Sequence, residues 1–396
     1  MKKTLMFLSL LVIAGARAQA QDATPVPTII HKSFIEYKAD LKWGGAGTAQ
    51  GKFKAPVGLC VDPSDHVFVN DNGNKRVEKF DGEGKFMASY EGFEKINDIS
   101  SEFDLGGVKG IQVDKDGNFY FSGSLQMVGF NTDKKVIFNN STGGNWMAGF
   151  FLSRDGYLYD AYSADGGGGN IYKRNRAGKE LAEYPSKAAR PNAIAVDGKG
   201  NIYVANWIPG GDMTDYGVQK YSPSGDFVAT WSGKYGSKDG QFETPACAAV
   251  DAEDHLFVLD SQADRVQVFN GDGRLWTKFG HKGIGLGEMR NPSALGVNSK
   301  GQVFVLDTGN NRVERFTRYR VDLTLDGNNK VLERKETPLT GTLSNSGANY
   351  SQDSQGETNS AGENASHNGG LADTVQQKGK DAVGNAVGDV GRKLGF

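Results

Sequence analysis

The sequence predicts an all-β fold, a six-bladed β-propeller of four-stranded blades, and three observations carry that prediction. The first is a phrase met three times: residues 51–56 read GKFKAP, 240–245 read GQFETP and 287–292 read GEMRNP. The second is the order of residues after each phrase: a short apolar run, a tight turn, a second apolar run, then an aspartate with an arginine five positions later. Those pairs are Asp71/Arg76, Asp260/Arg265 and Asp307/Arg312. The third is the period. Aligned on the residue that closes the first run, the copies fall at Asp62, Asp114, Ser153, Asp197, Asp251 and Asn298, at intervals of 52, 39, 44, 54 and 47 residues. A unit of roughly 40–50 residues built from short strands has the period of a propeller blade.

Within each copy the elements come in a fixed order. The first strand ends in a turn: PSDH, KDGN, RDGY, GKGN, AEDH and SKGQ. Gly, Asn and Asp there supply the conformations that a tight hairpin needs. The second strands are VFVND, FYFSG, LYDAY, IYVAN, LFVLD and VFVLD, all β-branched or aromatic. Third strands are clearest as RVEKF (76–80), VQKY (218–221), RVQVF (265–269) and RVERF (312–316).

The first strands alternate large and small residues, so their two faces differ. Leu59/Val61, Ile194/Val196 and Leu295/Val297 make one face bulky, while Gly58/Cys60, Ala193/Ala195 and Ala294/Gly296 keep the other slim. Blades stacked side by side around an axis need that pairing. Gln112 and Phe151 break the slim set, in copies 2 and 3.

These residues carry a resemblance. The pattern G-x-F-x-x-P, V-D, V-x-V-x-D, then R-V-x-x-F resembles the NHL repeat over roughly residues 43–316, clearest in copies 1, 5 and 6. The resemblance implies a six-bladed propeller and leaves function open, because one fold hosts many activities.

The sixth blade is one strand short. Residues 33–43 (SFIEYKADLKW) are expected to supply its outer strand from the N-terminal side, removing an open edge. The propeller then spans 33–320, with an extra β-hairpin at 321–338. Residues 339–370, rich in Ser, Asn, Gly and Thr, read as a disordered linker. Residues 371–396 regain a weak amphipathic helical pattern through Leu371, Val375, Ala382, Ala386, Val390 and Leu394, a tail suited to a partner or membrane surface.

At the other end, Lys2 and Lys3, an apolar run to Ala14, and Ala18-Gln19-Ala20 form a signal-peptide pattern, cleaved after Ala20 or Ala18. A secreted or periplasmic protein is expected, with no transmembrane span. The formal charge of −2 argues against nucleic acid as partner. Cys60 and Cys247 fall on first strands of copies 1 and 5, which are not ring neighbours, and read as small buried hydrophobes.

Candidate chemistry lies where copies 2 to 4 depart from the pattern. Gly123, Tyr162 and Asn206 replace the aspartate, with insertions at 163–170 and 207–217. Propeller geometry brings these loops to one mouth of the channel. Trp146, Tyr162, Trp207 and Tyr216 are expected to form an aromatic platform there, with Lys109, Arg190 and Asn192 as polar contacts. Aromatics with convergent polar groups suit a sugar, peptide or small molecule. Asp165, Asp212 and Asp215 offer oxygen ligands that would suit calcium. The Asp–Arg pairs recur and so read as structural: an Arg fork locking a turn to a carboxylate.

Zinc-bearing six-bladed relatives place histidines near the start of the first strands. Here those places hold Val57, Lys109, Ala148, Asn192, Ala246 and Ser293, and no Ser–His–Asp, CxxC or phosphate-loop pattern appears. The expected function is therefore an exported, non-catalytic binding or scaffold propeller that needs no cofactor. It recognises a protein, peptide or glycan at the mouth formed by blades 2–4. The alternative is a metal-dependent, lactonase-like propeller lyase or hydrolase acting on a small molecule.

Overall fold

The computed structural model describes residues 29–93, 108–123, 126–141, 147–163, 169–188, 190–206, 217–231, 234–339 and 341. Six antiparallel blade sheets make up the fold, each of four strands, with a fifth strand added to the sheet of blade 6. Their first strands are Gly58–Val61, Gly110–Val113, Met147–Leu152, Pro191–Val196, Pro245–Val250 and Ala294–Val297, in blades 1 to 6. Each first strand packs beside the next, and that of blade 6 packs beside that of blade 1, which closes the ring.

Each turn between first and second strands is capped by the residue on which the copies align. Asp62 Oδ1 accepts the N–H groups of Ser64 (2.9 Å) and His66 (2.8 Å). Asp197 and Asp251 do the same in their own turns. A side-chain acceptor at that place lets a short polar loop satisfy its own backbone.

The bulky and slim faces meet between blades. A Cβ built on Gly296 would lie 2.8 Å from Val61 Cγ2, and one on Gly149 would lie 2.9 Å from the backbone of Ala193. Contacts that close leave no room for a side chain, so glycine at these places sets the spacing between blades. The core is accordingly divided into clusters, each spanning neighbouring blades.

Blade 6 is completed from the other end of the chain. Ile30–Gly44 runs antiparallel to Arg312–Leu325, from Ile30 opposite Leu325 to Gly44 opposite Arg312, with one irregularity near Asp40. This strand is three residues longer at its start than the sequence pattern marks. Beyond Thr317 the third strand of blade 6 continues past its neighbour and pairs with Val331–Leu339. The extra hairpin is therefore a continuation of a blade strand. The expected signal peptide, residues 164–168 and 207–216 of the blade 3 and 4 insertions, and the helical tail lie outside the described residues.

Among the described residues no helix is long and apolar enough to cross a membrane.

Candidate functional site

The Asp–Arg pairs form one device built three times. Arg76 Nε donates to Asp71 Oδ2 at 2.9 Å, and its other nitrogens donate to the carbonyls of Thr48, Ala49 and Lys52. Arg312 repeats this on Asp307 (2.8 Å) and the carbonyls of Ile284, Gly285 and Glu288. Arg265 binds Asp260 (3.3 Å) and the carbonyls of Ser237, Lys238 and Gln241. Each of the three aspartates is fully buried. Each guanidinium thus pins the loop that enters its blade, while Phe53, Phe242 or Met289, the third residue of the repeated phrase, is buried beneath that loop. The bonds of these clamps are spent within the protein, so the clamps hold loops and are not presented to a ligand.

Blade 4 keeps half of the device without the arginine. Asn206 Oδ1 accepts the Arg190 N–H at 2.8 Å, as Asp71 accepts Lys54 N–H at 2.7 Å. In blade 3 a different buried pair appears, missed in the sequence because its spacing differs: Arg174 Nε donates to Asp160 Oδ1 at 2.9 Å. Burial pushes the Asp160 carboxyl above its ordinary range, against the pull of Arg174.

The channel through the ring is the concave feature on which a ligand site can be built. Its volume is about 1000 Å³, and its wall is made by the first strands of all six blades and the turns at their ends. Of the residues expected at the mouth, Lys109 and Asn192 line this channel. Asn192 Nδ2 donates to Pro245 O at 2.8 Å, so its amide bridges blades 4 and 5. Ser293 does the same between blades 6 and 1, donating to Val57 O at 3.1 Å. Tyr162 is buried in blade 3, edge-on to Tyr172 with centroids 5.4 Å apart, and does not reach the channel. Arg190 is exposed at the start of blade 4, off the channel wall. Trp146, Trp207 and Tyr216 lie outside the described residues, as do Asp165, Asp212 and Asp215.

The acids on the channel wall are already engaged. Asp62 Oδ2 lies 2.9 Å from His66 Nδ1, and Asp65 accepts both the N–H (2.8 Å) and the hydroxyl (2.6 Å) of Ser299 across the blade 1–6 seam. At the same mouth Arg154 reaches from blade 3 toward blade 5, with Nη2 3.4 Å from Val250 O. Cys60 and Cys247 also line the channel, both free. Burial pushes both thiols above their ordinary range, so neither is poised as a nucleophile.

Asp251, Glu253 and His255 gather their polar atoms within 4.8 Å of one another. Their contacts explain the grouping without an ion. His255 Nδ1 lies 2.9 Å from Asp251 Oδ2, its ring stacks on Trp276 at 4.2 Å, and Glu253 accepts from the buried Arg318 at 2.9 Å. A buried guanidinium beside the carboxylate opposes a cation there.

This geometry defines the class: the chain is a six-bladed β-propeller, two of whose blades match a known repeat. The NHL repeat family matches at residues 53–80 and 289–316, the copies in blades 1 and 6. No curated protein matches the sequence. Similar solved structures include a protein of unknown function from Bacteroides caccae, 15% identical, covering 69% of this chain and 93% of that one, with a TM-score of 0.47. A gluconolactonase from Xanthomonas campestris is 14% identical over 71% of this chain and 97% of its own, TM-score 0.48. Regucalcin, a calcium-binding protein from Agrobacterium tumefaciens, is 13% identical over 69% and 94%, TM-score 0.45.

Proposed function

We propose that this chain is an exported, non-catalytic binding propeller that takes its ligand at the channel and the adjoining mouth of blades 2 to 4. The observation that carries this reading is the character of the channel wall. Among the described lining residues there is no histidine and no glutamate, and the two aspartates are spent on His66 and Ser299. A wall of apolar side chains with a few polar groups holds and orients a ligand; it offers no acid–base pair to transform one. The partner is a glycan, a peptide or another small or extended molecule, since a channel of about 1000 Å³ does not admit a folded domain.

Filling the mouth tests this. Ala246 lines the channel at the start of the blade 5 strand and is not itself a member of an Asp–Arg clamp. Native mass spectrometry of wild type and Ala246→Trp, each exposed to extract from the source cells, is expected to show a bound molecule on wild type alone. Identical spectra would overturn the channel as the binding site.

A further inference from the structure

The blade 2 wall of the channel differs from the rest. Its first strand begins with Gly110, and a Cβ placed there would lie 2.6 Å from Ser122 Oγ on the second strand. The missing side chain opens a window: among the described lining residues, Ser122 alone comes from a second strand. Ser122 is 5% exposed, and its hydroxyl has no hydrogen-bond partner among the described residues. Gln112 comes two residues after Gly110 on the same face of the strand, where blades 1, 4, 5 and 6 carry Cys60, Ala195, Ala249 and Gly296. Its carboxamide is likewise unpaired among the described residues and lines the channel. Phe151 holds the same place in blade 3, so the next wall round the ring adds an aromatic ring.

This sector is where the channel keeps unspent hydrogen-bonding capacity. Asn192 and Ser293 already bridge blades, whereas Ser122 and Gln112 are open to a ligand. A serine hydroxyl and a glutamine carboxamide each both donate and accept. A ligand complementary to them must donate and accept along one edge, as adjacent sugar hydroxyls do. A carboxylate or phosphate only accepts, so it would use the Gln112 Nε2 and Ser122 hydroxyl donors and leave Gln112 Oε1 unmatched. The apolar face of a pyranose, in turn, suits Phe151 and the apolar walls opposite.

We infer that the blade 2 wall, through Ser122 and Gln112, selects a neutral saccharide in the channel; this rests on the channel-binding function proposed for the chain. The test is calorimetric titration of the full chain with maltose, cellobiose, diacetylchitobiose and, as an anionic amphiphile, octanoate. At least one saccharide is expected to bind. Ser122→Ala and Gly110→Ala should each weaken it roughly tenfold, the effect of losing one well-placed hydrogen bond, with unchanged circular dichroism. If Gly110→Ala does not fold, Ser122→Ala and Gln112→Ala carry the comparison. Octanoate binding without any saccharide would overturn the assignment while leaving the channel as a site. So would saccharide affinity indifferent to both substitutions, or no binding by any of the four. Binding that persists in Ala246→Trp would instead count against the channel itself.

Discussion

The Gly287 N–H donates to Glu314 Oε2 at 2.9 Å, and the same bond recurs from Gly51 to Glu78 (3.1 Å) and from Gly240 to Gln267 (2.8 Å). Each glycine has φ between 73° and 82°, a region costly for any side chain, so the third-strand acceptor locks a turn that only glycine makes cheaply. Blade 5 does this with a neutral amide; blades 1 and 6 use a carboxyl. Burial pushes Glu314 up to about 7, against the opposing pull of Arg312.

A raised carboxyl in the folded state favours the protonated form. Its contribution to stability is fully present below the ordinary glutamate range and is lost as pH rises through about 7. Glu314→Gln removes that loss. The stability of the variant relative to wild type should rise by on the order of 1–2 kcal/mol between pH 4.5 and pH 8. Urea unfolding at both pH values checks it, and a difference that stays flat with pH would contradict it.

The clamps predict a larger effect. Arg265→Met would leave the Asp260 carboxylate buried without its guanidinium and would release three loop carbonyls. A loss of about 3–5 kcal/mol is expected, as for other broken buried pairs. Chemical denaturation measures this directly; a loss under about 1 kcal/mol, typical of an exposed pair, would show that the fork does not bear on the fold.

Ring closure gives a third expectation. Removing residues 30–44 strips the outer strand from blade 6 and exposes the edge of Arg312–Leu325 along its whole length. The melting temperature should fall sharply and the protein should associate through that edge, seen by light scattering. An unchanged melt would mean that the ring does not depend on this strand.

The fold is legible in the sequence because its signals are local and repeated. Asp62, Asp197 and Asp251 mark turns they cap themselves, and the alternation of Gly58/Cys60 with Leu59/Val61 states on which side each blade is thin. The ring-closing strand is legible because one blade lacks a partner. The site is less so. Lys109 and Asn192 stand out by their place at the start of first strands, and both line the channel. Tyr162 reads as a mouth residue from its loop, but its side chain turns into blade 3. Ser122 escapes a sequence reading because its exposure to the channel depends on the absence of a side chain at Gly110, on the neighbouring strand, a relationship that only strand register reveals. Gln112 leaves a visible signal as the polar residue in a slim set.

The central claim is that the channel holds its ligand through hydrogen-bonding and apolar groups and not through a metal centre. Elemental mass spectrometry of the purified protein after exhaustive dialysis tests this most directly. No metal approaching one atom per chain is expected. Stoichiometric zinc or calcium would contradict it and would favour the metal-dependent lyase or hydrolase reading instead.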